Sequence, residues 1–71
     1  MENEFNIYES FVDSDIIIRQ FDNTKISGTL ISIDGYLNSF LINGEYQTLD
    51  KCVPFKSLFV RGSVIDYLYR K

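Results

Sequence analysis

Histidine is missing from this chain, and cysteine and proline occur only once each among its 71 residues. The single Cys52 excludes an intrachain disulfide, and without histidine or a repeated cysteine spacing we expect no metal site. Cys52 also has no histidine to act as its base, so we interpret it as a small apolar side chain rather than a nucleophile. With no paired carboxylates on a defined scaffold, the sequence predicts neither an enzyme nor a bound cofactor.

Long apolar runs are also missing. No stretch approaches the roughly 20 apolar residues of a membrane span, and the acidic start Met1-Glu2-Asn3-Glu4 does not fit a secretory signal. A lone cysteine is typical of a reducing compartment. We therefore expect a soluble protein of the nucleus or the cytoplasm, or of both.

The short chain carries more apolar side chains than a small domain normally covers. Hydrophobic residues make up 45% of it and aromatic residues 15%, whereas a domain of this length buries only roughly 60% of its unfolded surface. This surplus predicts association with another chain. The net charge of −3 counts against a broad basic face for duplex phosphates, but not against stacking with single-stranded bases.

The pattern of apolar residues predicts one helix followed by five strands. Residues 1–14 form the predicted helix, with apolar residues at helical spacing: Phe5, Tyr8, Phe11 and Val12. We expect this helix to cover one end of the core. The strand-like runs are residues 16–21, 25–33, 39–42, 55–60 and 64–69.

Glycine positions refine this architecture. Gly28 interrupts the second strand-like run and marks the bend that a small barrel needs. Asn43-Gly44 is a strong hairpin signal, and we expect residues 43–54 to form a connecting loop. The sequence therefore predicts a single, mostly β domain (1–71): an N-terminal α-helix followed by a five-stranded, strongly bent antiparallel small β-barrel.

Two predicted turns carry most of the functional signal. Asp34-Gly35-Tyr36-Leu37-Asn38 holds an acid, an aromatic ring and an amide, and the second turn holds Arg61 and Gly62. Tyr36 and Arg61 could sandwich a flat base, while the Asn38 amide could bond the edge of that base through its donor and its acceptor. We expect Asp34 to orient Asn38, and Gly62 to let the backbone approach closely.

Each of these residues also has an ordinary structural alternative. Tyr36 could be a core aromatic residue, Asn38 could cap its own turn, and Arg61 could be a solvated charge at a strand end. Position favours the functional interpretation, because all three lie on turns between strands.

The last strand-like run, Val64 to Tyr69, is apolar nearly throughout. Such a run at the end of a small domain predicts pairing with another molecule, because an exposed apolar edge would aggregate. The predicted subunit interface consists of Phe59, Val64, Ile65, Tyr67 and Leu68.

These runs and turns resemble the two motifs of the Sm-like (LSm) family. Residues 15–42 resemble the first motif, through Ile16, Ile18, Gly28, Leu30, Asp34, Asn38 and Leu41. Residues 55–71 resemble the second, through Val60-Arg61-Gly62-Ser63-Val64-Ile65-Asp66-Tyr67. Within the family, the Tyr36-Leu37-Asn38 and Arg61-Gly62-Ser63-Val64 strings are most similar to one subunit type of the eukaryotic rings that bind U6 small nuclear RNA.

The resemblance implies the SH3-like Sm fold and a heteroheptameric ring of LSm subunits, in which the fourth strand of one subunit pairs with the fifth of the next. It also implies binding of single-stranded uridine-rich RNA, such as the 3′ end of U6 snRNA in splicing, or of message 3′ ends in decapping and decay. The alternative is a protein-interaction barrel with a purely structural role in the ring and no RNA contact of its own.

The chain departs from the family pattern at the first hairpin. Gln20 stands where the family usually has an apolar residue, and a register adjustment could let the neighbouring Phe21 recover the core contact. Asn23 replaces a frequent glycine, which we expect to be tolerated because asparagine accepts positive φ. The Lys-His signature of bacterial relatives is missing, which disfavours the bacterial homohexamer type.

Overall fold

The fold is taken from a computed structural model, which describes residues 4–71 and the side chains from Ile7 onward. Its five strands form one antiparallel sheet in the order β4-β3-β2-β1-β5. This arrangement confirms the predicted mostly β fold with bent strands and one short helix. The elements are α1 (Glu4–Glu9), β1 (Asp15–Gln20), β2 (Lys25–Ile33), β3 (Ser39–Gln47), β4 (Cys52–Val60), a 3₁₀ turn (Gly62–Val64) and β5 (Ile65–Arg70).

Helix α1 is shorter than the sequence predicts. It ends at Glu9 because the chain tightens into a turn, where the Phe11 N–H donates to the Tyr8 carbonyl at 2.9 Å. Asp13 then adopts a φ of 72°, which a helix cannot continue through. Tyr8, Phe11 and Val12 nevertheless pack against the core as expected, while Phe5 lies outside the described side chains.

Within residues 4–71, no helix combines the length and the apolarity needed to span a membrane.

The core draws apolar side chains from all five strands. Alternation explains the contribution of β1, where Ile16 and Ile18 are fully buried and their neighbours are less so. Full burial of one such side chain contributes about 1.5–3 kcal/mol. The buried apolar residues are Ile16, Ile18, Ile26, Leu30, Ile33, Leu41, Val60, Ile65 and Leu68.

The predicted loop over residues 43–54 is wrong. Strand β3 continues to Gln47 and β4 begins at Cys52, so only residues 48–51 connect them. Asn43-Gly44 lies inside β3 as a bulge: Ser27 pairs with Glu45 and Thr29 with Ile42. Two residues of β3 therefore oppose the single residue Gly28 of β2.

The bend at Gly28 is built from close backbone contact. A Cβ atom added at Gly44 would lie 1.8 Å from the Ser27 carbonyl oxygen, so β2 and β3 can approach this closely only because Gly44 has no side chain. The register between the two strands shifts again between Leu30 and Ser32. Such irregularities bend and twist a sheet, which is the role predicted for Gly28.

The expectation that Phe21 would reach the core is also wrong. Its side chain is 67% exposed, because the bulge in the β1–β5 pairing lies between Arg19 and Gln20 and does not turn Phe21 inward. Gln20 is half-buried and bonds to Thr24, with the Tyr46 hydroxyl at 3.5 Å. Asn23 adopts a φ of 70°, as expected for asparagine in place of glycine.

Candidate nucleic-acid interface

The first turn is organised by the carboxylate of Asp34. Its Oδ1 accepts hydrogen bonds from the backbone N–H groups of Tyr36 at 2.8 Å and Asn38 at 3.0 Å. Its Oδ2 accepts a third bond, from Asn38 Nδ2 at 3.0 Å. The turn is closed by the Leu37 N–H, which donates to the Asp34 carbonyl at 3.0 Å. One side chain thus holds three donors of a five-residue turn.

These bonds favour the charged form of Asp34. The bond from the Asn38 side chain is the largest influence and lowers the pKa of Asp34 below its usual 3.8. Desolvation acts in the opposite direction, and the bonds from the Tyr36 and Asn38 backbones lower the pKa further. Asp34 is therefore an anion, and an acceptor only, at neutral pH.

The side chain of Asn38 joins the two turns. Its Oδ1 accepts a hydrogen bond from the Gly62 N–H at 2.7 Å, while its Nδ2 donates to Asp34. The Gly62 N–H can only donate and the Asp34 carboxylate can only accept, so together they fix the orientation of the Asn38 amide, with Oδ1 toward Gly62 and Nδ2 toward Asp34. One Nδ2 proton and one lone pair of Oδ1 remain available for another partner.

Gly62 lies against the first turn. A Cβ atom added to it would lie 1.7 Å from the Tyr36 carbonyl oxygen, so the two turns can meet only if this residue has no side chain. Arg61 precedes Gly62 with extended backbone, φ −74° and ψ 136°, and its side chain is exposed. The structure therefore brings Asp34, the Tyr36 backbone, Asn38 and Gly62 into contact, with Arg61 adjacent in the chain.

The ring of Tyr36 is 82% exposed, which excludes the interpretation of Tyr36 as a core aromatic. The two neighbouring leucines have the inward role instead. Leu41 is fully buried and Leu37 packs against the core. The first turn thus points its aromatic ring outward and anchors its apolar residues inside.

Sequence reasoning missed two features of this turn. Leu37 adopts a φ of 66°, a left-handed conformation that is uncommon for a bulky side chain and costs about 1–3 kcal/mol. Ser39 is fully buried, and its hydroxyl donates to the Leu37 carbonyl at 2.8 Å. The only available signal was a small polar residue at the start of an apolar strand.

The predicted interface residues divide into two groups. Phe59 and Tyr67 are 59% and 48% exposed, and Val64 is 39% exposed. Ile65 and Leu68 belong to the core, so their side chains are not available to a partner. All of them lie on or next to β4 and β5, the two edges of the sheet.

Two curated relatives match most of the chain. The LSM complex subunit LSM2 of Saccharomyces cerevisiae is 32% identical over 69 residues, covering 92% of this chain and 72% of the relative. The probable U6 snRNA-associated Sm-like protein LSm2 of Dictyostelium discoideum is 32% identical over 68 residues, covering 92% of this chain and 58% of the relative. LSm2 is the subunit type that the Tyr-Leu-Asn and Arg-Gly-Ser-Val strings indicated.

Solved structures share the fold. The P. aerophilum SmAP1 heptamer superposes with a TM-score of 0.89 at 17% identity, covering 100% of this chain and 96% of that chain. The Pyrococcus abyssii Sm protein in complex with a uridine heptamer superposes with a TM-score of 0.88 at 20% identity, covering 99% of this chain and 100% of that chain.

The family model described as the LSM domain matches residues 6–70 of this chain. Together with the relatives above, this match confirms the Sm-like family indicated by the two sequence motifs. The match covers α1 from its third residue and all five strands. The chain belongs to the LSM domain family.

Proposed function

We propose that this protein is an RNA-binding subunit of a heteroheptameric LSm ring and that it holds a uridine at the two facing turns. The observation that supports this most directly is the half-used amide of Asn38, fixed between Asp34 and Gly62. Its free N–H and free lone pair lie on the same turn as the exposed ring of Tyr36.

The fixed amide suits uracil. The N3–H of uracil can donate to Asn38 Oδ1, and a flanking uracil carbonyl can accept from Nδ2. In the same pose, cytosine presents an acceptor at N3 and a donor at its amino group, so it would need the amide turned over. Turning the amide would set Nδ2 against the Gly62 N–H and Oδ1 against the Asp34 carboxylate. The site would therefore select uracil by the cost of breaking these two hydrogen bonds, of which the one to Gly62 is partly buried.

Stacking supplies affinity without selectivity. The exposed Tyr36 ring offers one face to the base, and the Arg61 guanidinium can cover the other. Asp34 is negative and repels phosphate, which favours a base rather than the backbone at this point of the turn.

The two unpaired edges of the sheet support the proposal that the protein assembles into a ring. Strand β4 pairs only with β3 and β5 only with β1 among the described residues, and the exposed apolar side chains of Phe59, Val64 and Tyr67 lie at these edges. We propose that β4 of one subunit pairs with β5 of its neighbour. The yeast relative is a complex subunit, and the P. aerophilum and P. abyssii proteins are a heptamer and a complex with a uridine heptamer.

The Dictyostelium relative is named a probable U6 snRNA-associated protein, and we propose this role for the present chain. The RNA partner is then the uridine-rich 3′ end of U6 snRNA in splicing, in the nucleus. A sister ring acting on message 3′ ends in decapping and decay, in the cytoplasm, is the second setting that we propose.

The test uses a ring reconstituted with partner LSm subunits. Binding of oligouridine and oligoadenosine is measured at fixed salt for the wild type, Asn38→Ala and Tyr36→Ala. We expect Asn38→Ala to reduce the preference of the ring for oligouridine over oligoadenosine. We expect Tyr36→Ala to weaken the binding of both RNAs, by about 1–3 kcal/mol for the stacked base. Unchanged binding in both variants would show that this subunit has only a structural role in the ring.

A further inference from the structure

A buried hydroxyl group bonds to the backbone of the first turn. Ser39 begins β3 and is fully buried. Its Oγ donates to the Leu37 carbonyl at 2.8 Å. Because this hydroxyl is out of reach of an RNA ligand, any part that Ser39 plays in RNA binding must act through the residues that it contacts.

The peptide group that joins Leu37 to Asn38 is held at both of its polar ends. Its carbonyl oxygen accepts from Ser39 Oγ, and its N–H, which belongs to Asn38, donates to Asp34 Oδ1 at 3.0 Å. Rotation of this peptide plane breaks both bonds at once. Since the plane carries the Cα atom of Asn38, its orientation sets the direction from which the Asn38 amide reaches Asp34 and Gly62.

The backbone before this peptide is strained and needs to be held in place. Leu37 adopts a φ of 66°, a left-handed conformation that a leucine side chain disfavours. Such a conformation persists only where the surrounding contacts impose it. The Leu37 side chain packs against the core, and the Ser39 hydroxyl binds the carbonyl of the same residue. These two contacts together keep Leu37 in the left-handed conformation.

Ser39 is itself fixed by the sheet. Its backbone pairs with Ile33 on β2 and with Val60 on β4, and both of these cross-strand neighbours are buried apolar residues. A hydroxyl in apolar surroundings costs free energy unless it is hydrogen-bonded. A small apolar side chain would avoid that cost, so the bond to the turn is what a hydroxyl adds at this position.

We propose that Ser39 is the positioning residue of the uridine site. Its hydroxyl holds the peptide between Leu37 and Asn38, and so keeps the Asn38 amide in the orientation that matches uracil. Stacking on Tyr36 does not depend on this bond, because the Tyr36 N–H is held separately by Asp34 Oδ1 at 2.8 Å. Ser39 therefore contributes to base selectivity and not to base-independent affinity. This inference rests on the proposed uridine binding by the two turns.

The test measures base selectivity in the reconstituted ring. Binding of oligouridine and oligoadenosine is compared at fixed salt for the wild type, Asn38→Ala, Ser39→Ala and Thr24→Val. We expect Ser39→Ala to weaken oligouridine binding about 2-fold to 10-fold, which is the effect of one lost hydrogen bond. Binding of oligoadenosine to Ser39→Ala should equal that of the wild type.

Thr24→Val is the matched control. Thr24 is also a buried polar residue, and its hydroxyl bonds to Gln20 and Asp22 in the hairpin between β1 and β2. The variant therefore removes a buried, hydrogen-bonded hydroxyl without altering either turn of the uridine site. We expect both RNAs to bind this variant as they bind the wild type.

Amide hydrogen exchange tests the same inference without RNA. In a ring in which only this subunit is isotope-labelled, NMR follows two N–H groups. The Asn38 N–H is bonded to Asp34, and the Gly62 N–H is bonded to the Asn38 side chain. We expect both to exchange faster in Ser39→Ala than in the wild type, while the amides of β1 keep their wild-type rates.

The outcomes separate this inference from the proposed function. If Asn38→Ala loses the preference for oligouridine while Ser39→Ala keeps it, the positioning role is overturned and the uridine site stands. Equal losses on both RNAs in Ser39→Ala, or a similar loss of preference in Thr24→Val, also overturn the positioning role. Unchanged exchange at Asn38 and Gly62 does the same. An unchanged preference in Asn38→Ala removes the proposed function, and this inference with it.

Discussion

At the scale of single residues, Asp34 makes the first turn sensitive to acid. Its pKa in the folded chain is lowered, chiefly by the Asn38 side chain, below 3.8. A carboxylate with a depressed folded-state pKa contributes stability above its unfolded pKa, and loses that contribution as the pH falls through the folded value. We expect the melting temperature of the wild type to exceed that of Asp34→Asn by a constant amount from pH 7 down to about 4. Below this pH the difference should narrow. A difference that stays constant to pH 2 would contradict this role of Asp34.

The two glycines of the turns provide a matched pair. A Cβ atom at Gly62 would lie 1.7 Å from the Tyr36 carbonyl oxygen, whereas a Cβ atom at Gly35 meets nothing within 4 Å. We expect Gly62→Ala to destabilise the chain by about 1–3 kcal/mol through forced backbone shifts. Gly35→Ala should change stability by about 0.5 kcal/mol or less. Chemical denaturation of both variants measures this, and equal effects would show that the turns can separate freely.

The sequence predicts some residues of the site better than others. Asp34, Asn38 and Gly62 could be predicted because their hydrogen-bonding and steric properties are local to two short motifs. The positive φ of Leu37 could not, because nothing in a leucine side chain favours it and the surrounding contacts impose it. The exposure of Phe21 could not be predicted, because the sequence pattern at the end of a strand is the same whether an apolar side chain faces the core or the solvent.

At the scale of elements, Asn43-Gly44 shows why β3 was predicted too short. Asparagine and glycine both accept positive φ, and a two-residue hairpin and a bulge both use that property. In the structure Asn43 has a φ of 54° and the strand continues. The choice between the two depends on pairing with Ser27 and Thr29, which are far away in sequence. By contrast, the bounds of β2 were predicted correctly, because Asp22-Asn23-Thr24 and Asp34-Gly35 end it locally.

The hydrogen-bond pattern of β5 identifies its free edge. Lys71 N–H donates to the Asp15 carbonyl at 2.9 Å, and the register pairs Tyr69 with Ile17 and Tyr67 with Arg19. In an antiparallel pair the backbone groups of alternate residues point toward the partner strand. The N–H groups of Leu68 and Arg70 therefore point away from β1. The N–H of Ile65 is unsuitable for a partner because it donates to the Gly62 carbonyl.

Proline at position 70 tests this edge. Arg70→Pro removes an outward N–H donor without removing a bond to β1. Arg70→Ala is the matched control, since both variants lose the Arg70 guanidinium that lies 5.0 Å from the Phe11 ring centroid. We expect light scattering to show impaired assembly with partner subunits for Arg70→Pro but not for Arg70→Ala. Normal assembly of both variants would show that the subunit contact does not use the outer edge of β5.

At the scale of the whole molecule, the chain leaves a large apolar surface uncovered. Phe21, Phe59, Tyr67 and Tyr69 are all exposed by 44% or more. Partners that bind only the folded state raise its apparent stability with their concentration. We expect the melting temperature of this subunit to rise as partner LSm subunits are added, and to keep rising with their concentration beyond the ring stoichiometry. A melting temperature independent of partner concentration would contradict the proposed assembly.

The curvature produced by Gly28 and the bulge at Asn43 has a consequence for symmetry. The two edges of the sheet are different surfaces, so pairing β4 of one subunit with β5 of the next is a head-to-tail contact, with no two-fold axis. Contacts of this kind close on themselves only when the rotation from subunit to subunit divides a full turn evenly, and otherwise they continue as an open helix. A ring of seven subunits requires a rotation of about one seventh of a turn at each contact. The proposed ring therefore requires the bend of this sheet to set its two edges at that angle, and a different bend would favour an open fibre.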